Sequence, residues 1–426
     1  MDVGRLIRIV KHLRDSGNTV IVVEHDRDFI ESADLVVDMG PEGGGRGGKI
    51  VYQGAVHGLL TGADTATSRY LQGRMGPQRP LRRRQLRNGW LKISGAAEHN
   101  LRDIDVEIPL GLFTCVTGLS GSGKSTLIYD ILKPAIEQVL GLEPARRPGK
   151  FAAIEGYEGL QGLESLEQDP LTANRRSNPA TYTKAWDGIR KVFAATEMAE
   201  RAQLKAGSFS FNIEGGRCPE CRGEGSVIVD MQFMADVTLR CEECNGKRFT
   251  RKVLDVRYRG KNIADILQLT VDGAAQFFND QRGIVRVLQP LQRVGLGYLR
   301  LGQPAPILSA GEAQRLKLAT HLGRRGSGGS KLYLFDEPTT GLHGTEVGKL
   351  IDCIEELVEQ HHTVVVIEHN MDLVARADWV IDLGPGGGED GGSIVAFGRP
   401  EDVAQAPESF TGRVLAGTLQ RLGIEL

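Results

Sequence analysis

The stretch FTCVTGLSGSGKST, residues 113–126, joins a short apolar run to a glycine-rich loop and then to the helical pattern TLIYDIL. The pattern G-x-x-x-x-G-K-S in this strand–loop–helix context is that of a phosphate-binding loop, or P-loop. Glycines let backbone N–H groups curl around phosphate oxygens, and the helix N-terminus adds its positive end. We predict that Lys124 reaches the β- and γ-phosphates and that Ser125 ligates Mg²⁺. The predicted nucleotide-binding residues of this loop are Gly118, Ser120, Gly121, Ser122, Gly123, Lys124, Ser125 and Thr126.

A second run, KLYLFDEPTTGLH at residues 331–343, predicts an apolar strand that ends in two carboxylates. We expect Asp336 to hold Mg²⁺ through water and Glu337 to orient the attacking water. A solvated acidic turn is the alternative, but these acids terminate a buried run. His369 follows the next predicted strand and could contact the γ-phosphate, although a histidine at a strand end is more often structural.

Between these runs, LSAGEAQRLKLATHL at residues 308–322 predicts a helix preceded by small residues. A free helix N-terminus can bind a γ-phosphate presented by another lobe. The residues expected at this contact are Ser309, Ala310, Gly311 and Glu312.

Four of the six cysteines form a C-x2-C-x19-C-x2-C pattern, made by Cys218, Cys221, Cys241 and Cys244. Four thiolates can build the closed tetrahedral site that suits structural Zn²⁺. An iron–sulfur cluster and free thiols are the alternatives. The residues between the two pairs alternate apolar and polar side chains and predict a hairpin that the metal clamps at its base. Basic residues flanking the cysteines could contact DNA phosphates.

An internal repeat relates the segments that begin at Thr19 and Thr363, which align without gaps over 36 residues. The alignment pairs Glu24 with Glu368 and His25 with His369. Each copy predicts a buried strand ending in Glu-His, then a short helix, a turn and another strand. We therefore expect two related lobes, the first represented only by its C-terminal tail.

The length and net charge of the chain limit the classes of protein to which it can belong. A chain of 426 residues predicts two or three structural units, and a net charge of −2 means that nucleic-acid binding would depend on local basic patches. No apolar run reaches the roughly 18 residues of a membrane span, so we expect a cytoplasmic location and no membrane partner. Residues 71–89, rich in Pro, Gly and Arg, predict an exposed linker.

The order of P-loop, LSxGE, Asp-Glu and histidine resembles that of ATP-binding cassette (ABC) ATPases. Longer segments resemble the UvrA family, the damage-sensing ATPases of the excinuclease ABC system, namely GYLRLGQPAPILSAGEAQRLKLA, DEPTTGLH, RSNPATYT and WLKISGAAEHNLRDIDVEIPLG. The resemblance implies an α/β fold: a P-loop ABC-type cassette with an inserted zinc-finger/β-hairpin module, plus an incomplete remnant of a second cassette. Its implied domains are 1–70 as the tail of the first cassette, 71–89 as linker and 90–426 as the second cassette, with an inserted region 140–300 that includes the zinc finger 218–244.

The resemblance also implies ATP, Mg²⁺ and Zn²⁺ as cofactors, and a function that couples ATP binding and hydrolysis to damage recognition in nucleotide excision repair, without nuclease activity of its own. Gln168 is the implied Mg²⁺/water contact. The implied partners are double-stranded DNA and either a second copy or a chain supplying the missing first cassette. A UvrB-type partner is possible, although the region that binds it lies in the missing half.

The signature departs from the family pattern, since LSAGE carries Ala310 where LSGGE is usual. The added methyl group predicts a weakened contact with phosphate. Ala310 and the missing lobe favour a DNA-binding protein with little ATPase activity as an alternative. A paralogue in self-resistance to a DNA-binding drug and a gene fragment also stay open.

Overall fold

The computed structural model of the chain describes residues 3–41, 47–74, 83–86, 88–167, 174–229, 231, 237–322, 329–342 and 344–424. It divides into two compact units, Met1–Gln168 with Arg325–Leu426, and Asp169–Arg324. This division does not test the predicted inserted region 140–300 or the other predicted domain bounds, which stay predictions. Within the described ranges, no helix combines the length and apolarity needed to cross a membrane.

The N-terminal segment of the first unit contains the first copy of the repeat. Its elements are α1 (Val3–Asp15), α2 (Arg27–Ser32), β1 (Val36–Gly40), β2 (Lys49–Gly54), α3 (Val56–Thr61) and α4 (Ala66–Leu71). Strands β1 and β2 form an antiparallel pair of their own. Asp26 begins α2 by accepting the N–H groups of Asp28 and Phe29, as an N-cap residue should.

The predicted linker 71–89 is described only in part. Arg83 donates to Glu401 at 2.7 Å and Arg84 to Asp378 at 3.1 Å, and the Asp378 side chain is fully buried. The exposed linker that we expected is therefore wrong at these two arginines, because each bonds to a carboxylate of the first unit.

The part of the first unit that follows this linker contains the P-loop. Its elements are β3 (Trp90–Ala96), β4 (Ile104–Pro109), β5 (Phe113–Gly118), the π-helical turns Thr126–Leu132, α5 (Lys133–Val139), β6 (Ala153–Glu155) and β7 (Leu163–Leu166). The wide turns have a local cause in Pro134, which has no N–H to donate to the carbonyl of Asp130. The N–H of Gly149 donates to that carbonyl instead, at 2.7 Å.

The second unit is mainly helical and holds the cysteine hairpin. Its elements are α6 (Pro179–Tyr182), α7 (Ala185–Ala194), α8 (Glu197–Arg201), β8 (Ser226–Val229), β9 (Val237–Arg240), α9 (Arg251–Leu254), β10 (Arg257–Tyr258), β11 (Lys261–Asn262), α10 (Ile263–Gln268), α11 (Val271–Phe277), α12 (Arg282–Arg293) and α13 (Ala310–Leu322). Strands β8 and β9 pair antiparallel, which confirms the predicted hairpin. Phe193, Phe209, Phe211 and Phe249 are fully buried or nearly so.

The chain then returns to the first unit with β12 (Leu332–Asp336), α14 (Gly344–Glu359), β13 (Thr363–Ile367), α15 (Met371–Val374), β14 (Trp379–Gly384), β15 (Ser393–Gly398), α16 (Pro400–Ala404) and α17 (Phe410–Arg421). A six-stranded sheet has the order β15–β14–β5–β13–β12–β7. All its pairs are parallel except β14–β15. Its central strands are buried on both faces, as the continuous apolar runs predict.

The two copies of the repeat fold alike only in part. The hairpins β1–β2 and β14–β15 correspond residue for residue, including a bulge after Asp38 and after Asp382. Residues 363–367 form β13, but residues 19–23 form no strand. The strand predicted for the first copy is therefore wrong, because no described strand lies beside residues 19–23 to pair with them.

Candidate functional site

The loop after β5 has the shape of a phosphate cradle. Gly118 has φ +132°, and a Cβ there would lie 2.1 Å from the carbonyl oxygen of Leu383. Gly123 has φ +104°, and a Cβ would lie 2.7 Å from Leu101 Cδ2. Only glycine fits these two positions, because both the backbone conformation and the space exclude a side chain.

Asn100, which lies between β3 and β4, and the loop that follows β14 both contact the backbone of the cradle. Asn100 Nδ2 donates to the carbonyl of Gly121 at 2.9 Å and to that of Gly388 at 3.0 Å. The N–H of Gly388 also donates to Gly121 O, and the N–H of Gly392 donates to Ser122 O. These contacts fix the outer carbonyls of the P-loop. The sequence analysis missed Asn100, because its partners lie 21 and 288 residues away in the chain.

Lys124 lies folded into the loop that carries it. Its ammonium group donates to the carbonyls of Gly118 at 2.9 Å and Leu119 at 2.8 Å, and the side chain is buried. Burial lowers the pKa of Lys124, while the nearby carboxylates of Glu337 and Asp336 oppose that change. The lysine is thus held between the P-loop carbonyls and the acidic end of β12.

The hydroxyl residues of the P-loop differ in exposure. Ser120 and Ser125 are exposed, and Thr126 is half-buried where the π-helical turns begin. Ser122 is fully buried, and its Oγ has no hydrogen-bond partner among the described residues. An exposed Ser125 hydroxyl at the helix start is available to a cation bound beside the cradle.

The carboxyl end of β12 carries a cluster of acids. Burial raises the pKa of Asp336 to about 6, and the like charges of Glu337 and Glu167 add to the rise. Glu167 follows the neighbouring strand β7 and accepts from Lys133 at 2.5 Å. Carboxylates crowded in this way favour a divalent cation between them. This donor set therefore fits Mg²⁺, and Glu167 is a member that the sequence analysis missed. Gln168, the predicted neighbour of this cluster, lies outside the described residues.

Glu337 and His369 meet at the same sheet edge, since β12 and β13 are adjacent and parallel. His369 Nε2 lies 3.2 Å from Glu337 Oε1. This hydrogen bond lowers the pKa of Glu337, against the effect of burial. Glu337 itself has φ +42°, an uncommon conformation for a residue with a side chain. A carboxylate kept ionised beside an imidazole can accept a hydrogen bond from a water molecule.

The predicted signature lies in the second unit, where α13 begins at Ala310. The N–H of Glu312 donates to Ser309 Oγ, and the N–H of Ser309 donates to Glu312 Oε2 at 2.8 Å. This reciprocal pair is a capping box. Tyr298 also donates to Glu312, at 2.8 Å. Gly311 follows Ala310 in the first turn, and the roles of these residues toward ATP stay predictions.

The four cysteines of the CxxC pairs come together in the second unit. Their sulfur atoms all lie within 4.8 Å of one another, and all four side chains are buried. The N–H groups of Gly225 and Arg248 donate to the sulfurs of Cys221 and Cys244. Burial raises the pKa of Cys244 to about 12, so a Cys244 thiolate would need a cation beside it at neutral pH. The donor set fits a tetrahedral Zn²⁺ site.

The basic residues around the cysteines are not equivalent. Arg248 is buried, lies over the Phe211 ring at 5.5 Å and donates to Gly302 O. It is therefore part of the packing rather than a free cation for phosphate. The exposed cations of this region are Arg222, Arg240, Lys247, Arg251 and Lys252.

Comparison with known proteins places this geometry in a family. The chain is 52% identical to UvrABC system protein A of Aquifex aeolicus over 421 residues, which are 99% of this chain and 45% of that protein. It is 50% identical to the Thermus thermophilus protein of the same name over 97% of this chain and 43% of that protein. The crystal structure of UvrA2 from Deinococcus radiodurans superposes with a TM-score of 0.88 at 46% identity, covering 97% of this chain and 50% of that one. No family model matches the chain.

Proposed function

Because the chain belongs to the UvrA family and spans about half the length of the curated relatives it matches, we propose that it supplies one half of a composite ATPase site used in nucleotide excision repair. In this role it binds one ATP with Mg²⁺ on the P-loop. A second chain supplies the signature helix that closes the site.

One observation carries the proposal: three neighbouring parallel strands end at one sheet edge with the groups that ATP hydrolysis needs. Strand β5 leads into the P-loop, β13 leads to His369, and β12 ends at Asp336 and Glu337. Ligands of open α/β sheets bind at the carboxyl ends of such strands. Phosphoryl transfer depends mainly on positioning and charge neutralisation, and this edge offers both.

Each residue has a defined task in this mechanism. Lys124 exchanges its carbonyl partners on the P-loop for phosphate oxygens when ATP binds. Ser125 and Asp336 would hold Mg²⁺, which neutralises phosphate charge. Glu337 accepts a proton from the attacking water and orients it, while His369 holds Glu337 ionised and faces the γ-phosphate.

The signature residues act on the nucleotide of another chain. Ser309 and Gly311 lie at the N-terminus of α13, where the Ser309 hydroxyl and backbone N–H groups outside the capping box can bind a γ-phosphate. Ala310 adds a methyl group at this contact, so we propose a slow ATPase. The second chain is either another copy or a chain that supplies a first cassette. A UvrB-type partner would bind through such a chain, and the complex would act in the cytoplasm.

The zinc-clamped hairpin is the proposed DNA contact. Exposed cations around it can bind the phosphates of double-stranded DNA without reading sequence. The substitutions Lys247→Glu and Arg251→Glu together should weaken DNA binding and flatten its salt dependence. Arg413→Glu with Arg421→Glu, an equal change of charge on exposed residues of α17, is the matched control. Equal losses in both variants would contradict a DNA contact at the hairpin.

A second candidate function is DNA binding with very little ATP turnover, which Ala310 favours. The substitution Glu337→Gln separates the two proposals. If the chain is an ATPase, this variant keeps ATP and accumulates as a closed dimer, visible by light scattering, while its turnover falls at least about 100-fold. If Glu337→Gln changes neither turnover nor association, the ATPase assignment of Glu337 is wrong. Lys124→Ala, the control for nucleotide occupancy, should not bind ATP.

A further inference from the structure

Glu368 is a buried carboxylate that has no role in the proposed mechanism of ATP hydrolysis. Its side chain is 2% exposed and lies directly after β13, one residue before His369. It accepts three backbone hydrogen bonds, from Thr339 at 2.9 Å, from His369 at 2.6 Å and from Asn370 at 2.8 Å. A single carboxylate thus joins the loop after β12 to the loop after β13.

These two loops carry the pair that meets at the sheet edge. Thr339 lies two residues after Glu337, and the N–H of Glu337 donates to Ile367 O at 2.9 Å. Glu337 has a left-handed conformation that is unfavourable for a residue with a side chain, so the surrounding contacts must maintain it. The bonds of Glu368 supply that restraint from both sides of the Glu337–His369 contact.

We propose that Glu368 is a positioning residue for ATP hydrolysis, which fixes the backbone of both loops so that His369 Nε2 stays within hydrogen-bond distance of Glu337. This inference rests on the proposed ATPase function. Glu368 touches neither nucleotide nor water in this role, and it acts through His369.

A negatively charged Glu368 suits its surroundings, because the three backbone groups that contact it are all N–H donors. Burial raises the pKa of Glu368, and the hydrogen bonds from Thr339, Asn370 and His369 oppose that rise. A carboxylate offers both oxygens as acceptors, whereas a glutamine in its place turns an NH₂ group toward at least one N–H donor. Glu368→Gln therefore breaks the link between the loops with almost no change in volume.

The first repeat copy provides an internal control. Glu24 is the counterpart of Glu368 and accepts from the N–H groups of His25 at 3.0 Å and Asp26 at 3.4 Å. No third donor from another described loop reaches it, and its side chain is 36% exposed. The local turn is thus common to both copies, whereas the bond to a second loop belongs to Glu368.

The experiment compares steady-state turnover and equilibrium ATP binding in the full chain loaded with zinc and magnesium, at a protein concentration where turnover per chain has reached its plateau. We expect Glu368→Gln to lower kcat roughly 10- to 100-fold, since small misplacement of reacting groups has effects of this size. The Kd for ATP should change less than about twofold, because the P-loop contacts stay intact. Glu24→Gln should leave both quantities unchanged. Glu355→Gln, which breaks the buried ion pair with Arg376 and leaves the hydrogen bonds of Glu368 in place, controls for loss of stability.

A double-mutant cycle with His369→Ala distinguishes positioning from a general structural effect. If Glu368 acts through His369, Glu368→Gln should lower kcat less than about twofold in the His369→Ala background. Full multiplication of the two losses would contradict the proposal, as would an unchanged kcat in Glu368→Gln. If the glutamine variant does not fold, Glu368→Asp decides, because its carboxylate is too short to reach both loops, and a folded aspartate variant with normal kcat would overturn the inference. Absence of turnover in the unsubstituted protein would instead refute the form of the proposed function in which two copies of this chain complete the ATPase site.

Discussion

The two copies of the internal repeat have similar sequences but different surroundings. In the second copy, Val365 and Ile367 lie in β13 between β5 and β12 and are 0% and 1% exposed. In the first copy, the matching residues Ile21 and Val23 are 87% and 98% exposed. The same β-branched run is therefore a core strand in one place and an unpaired surface segment in the other. This run therefore forms a strand only where neighbouring strands can pair with it.

The aspartate shared by the two copies shows the same contrast in its hydrogen bonds. Asp382 is buried and accepts from Thr117, Ser409 and Thr411, each at 2.7 Å. Asp38, its counterpart, accepts from Thr67 at 2.9 Å, and its Oδ2 has no partner among the described residues. The second copy thus ties its hairpin to the strand that precedes the P-loop.

The largest effect is expected when the three hydrogen bonds that Asp382 accepts are removed. Asp382→Ala should lower the free energy of unfolding by about 3 kcal/mol or more, because three buried hydroxyls lose a charged acceptor. Asp38→Ala removes one such bond and should lower it by about 1 kcal/mol. Urea unfolding of both variants measures the difference. Equal shifts would mean that the surroundings of the two copies do not determine the value of this carboxylate.

The next effect concerns His369 and its counterpart in the first copy, His25. His369→Ala should lower kcat about 100-fold, since Glu337 loses the hydrogen bond that positions it at the sheet edge. His25→Ala should leave kcat unchanged, because its side chain is 45% exposed and hydrogen-bonds to no acid of the nucleotide site. Steady-state ATPase assays compare the two, and a similar loss in both variants would show that the first copy contributes to the active site.

The smallest effect is expected when His362 of the second copy is replaced by the residue of its first-copy counterpart, Asn18. Burial lowers the pKa of His362 from its ordinary 6.5, and Lys331 and His361 lower it further. The unfolded chain then binds more protons than the folded one, so stability falls as pH drops below about 6.5. His362→Asn, which places the residue found at Asn18, should flatten the stability profile between about pH 5 and 7. Its side-chain oxygen can still accept the Lys331 N–H that His362 Nδ1 accepts at 3.2 Å. Thermal unfolding across that range measures the slope, and an unchanged slope would contradict this origin.

Motifs built from neighbouring residues were predictable from the sequence. The P-loop, the acids that end β12, the hairpin β8–β9 and the clustered cysteines each depend on spacing within a short segment. Features that join distant segments were not predictable. Glu368 and Asn100 bind backbone groups of loops that come near only in the fold, and Glu167 reaches Asp336 only because β7 lies beside β12.

Two further features of the structure depend on particular residues that the sequence patterns did not single out. The helix predicted after the P-loop forms, but with π-helical spacing over Thr126–Leu132, just before Pro134, which has no N–H to donate. Arg83 and Arg84 were expected to lie in solvent, but they bond to carboxylates more than 290 residues away in the chain.

The central claim, that one chain holds half of a nucleotide site and another chain completes it, can be tested by mixing two inactive variants. Lys124→Ala has a disabled P-loop and an intact signature, and Gly311→Asp has the reverse. Neither variant alone should hydrolyse ATP, while an equal mixture should recover about a quarter of normal turnover, since half the dimers are mixed and each holds one intact site. A mixture that stays inactive, or a Gly311→Asp variant that hydrolyses ATP normally by itself, would contradict the account.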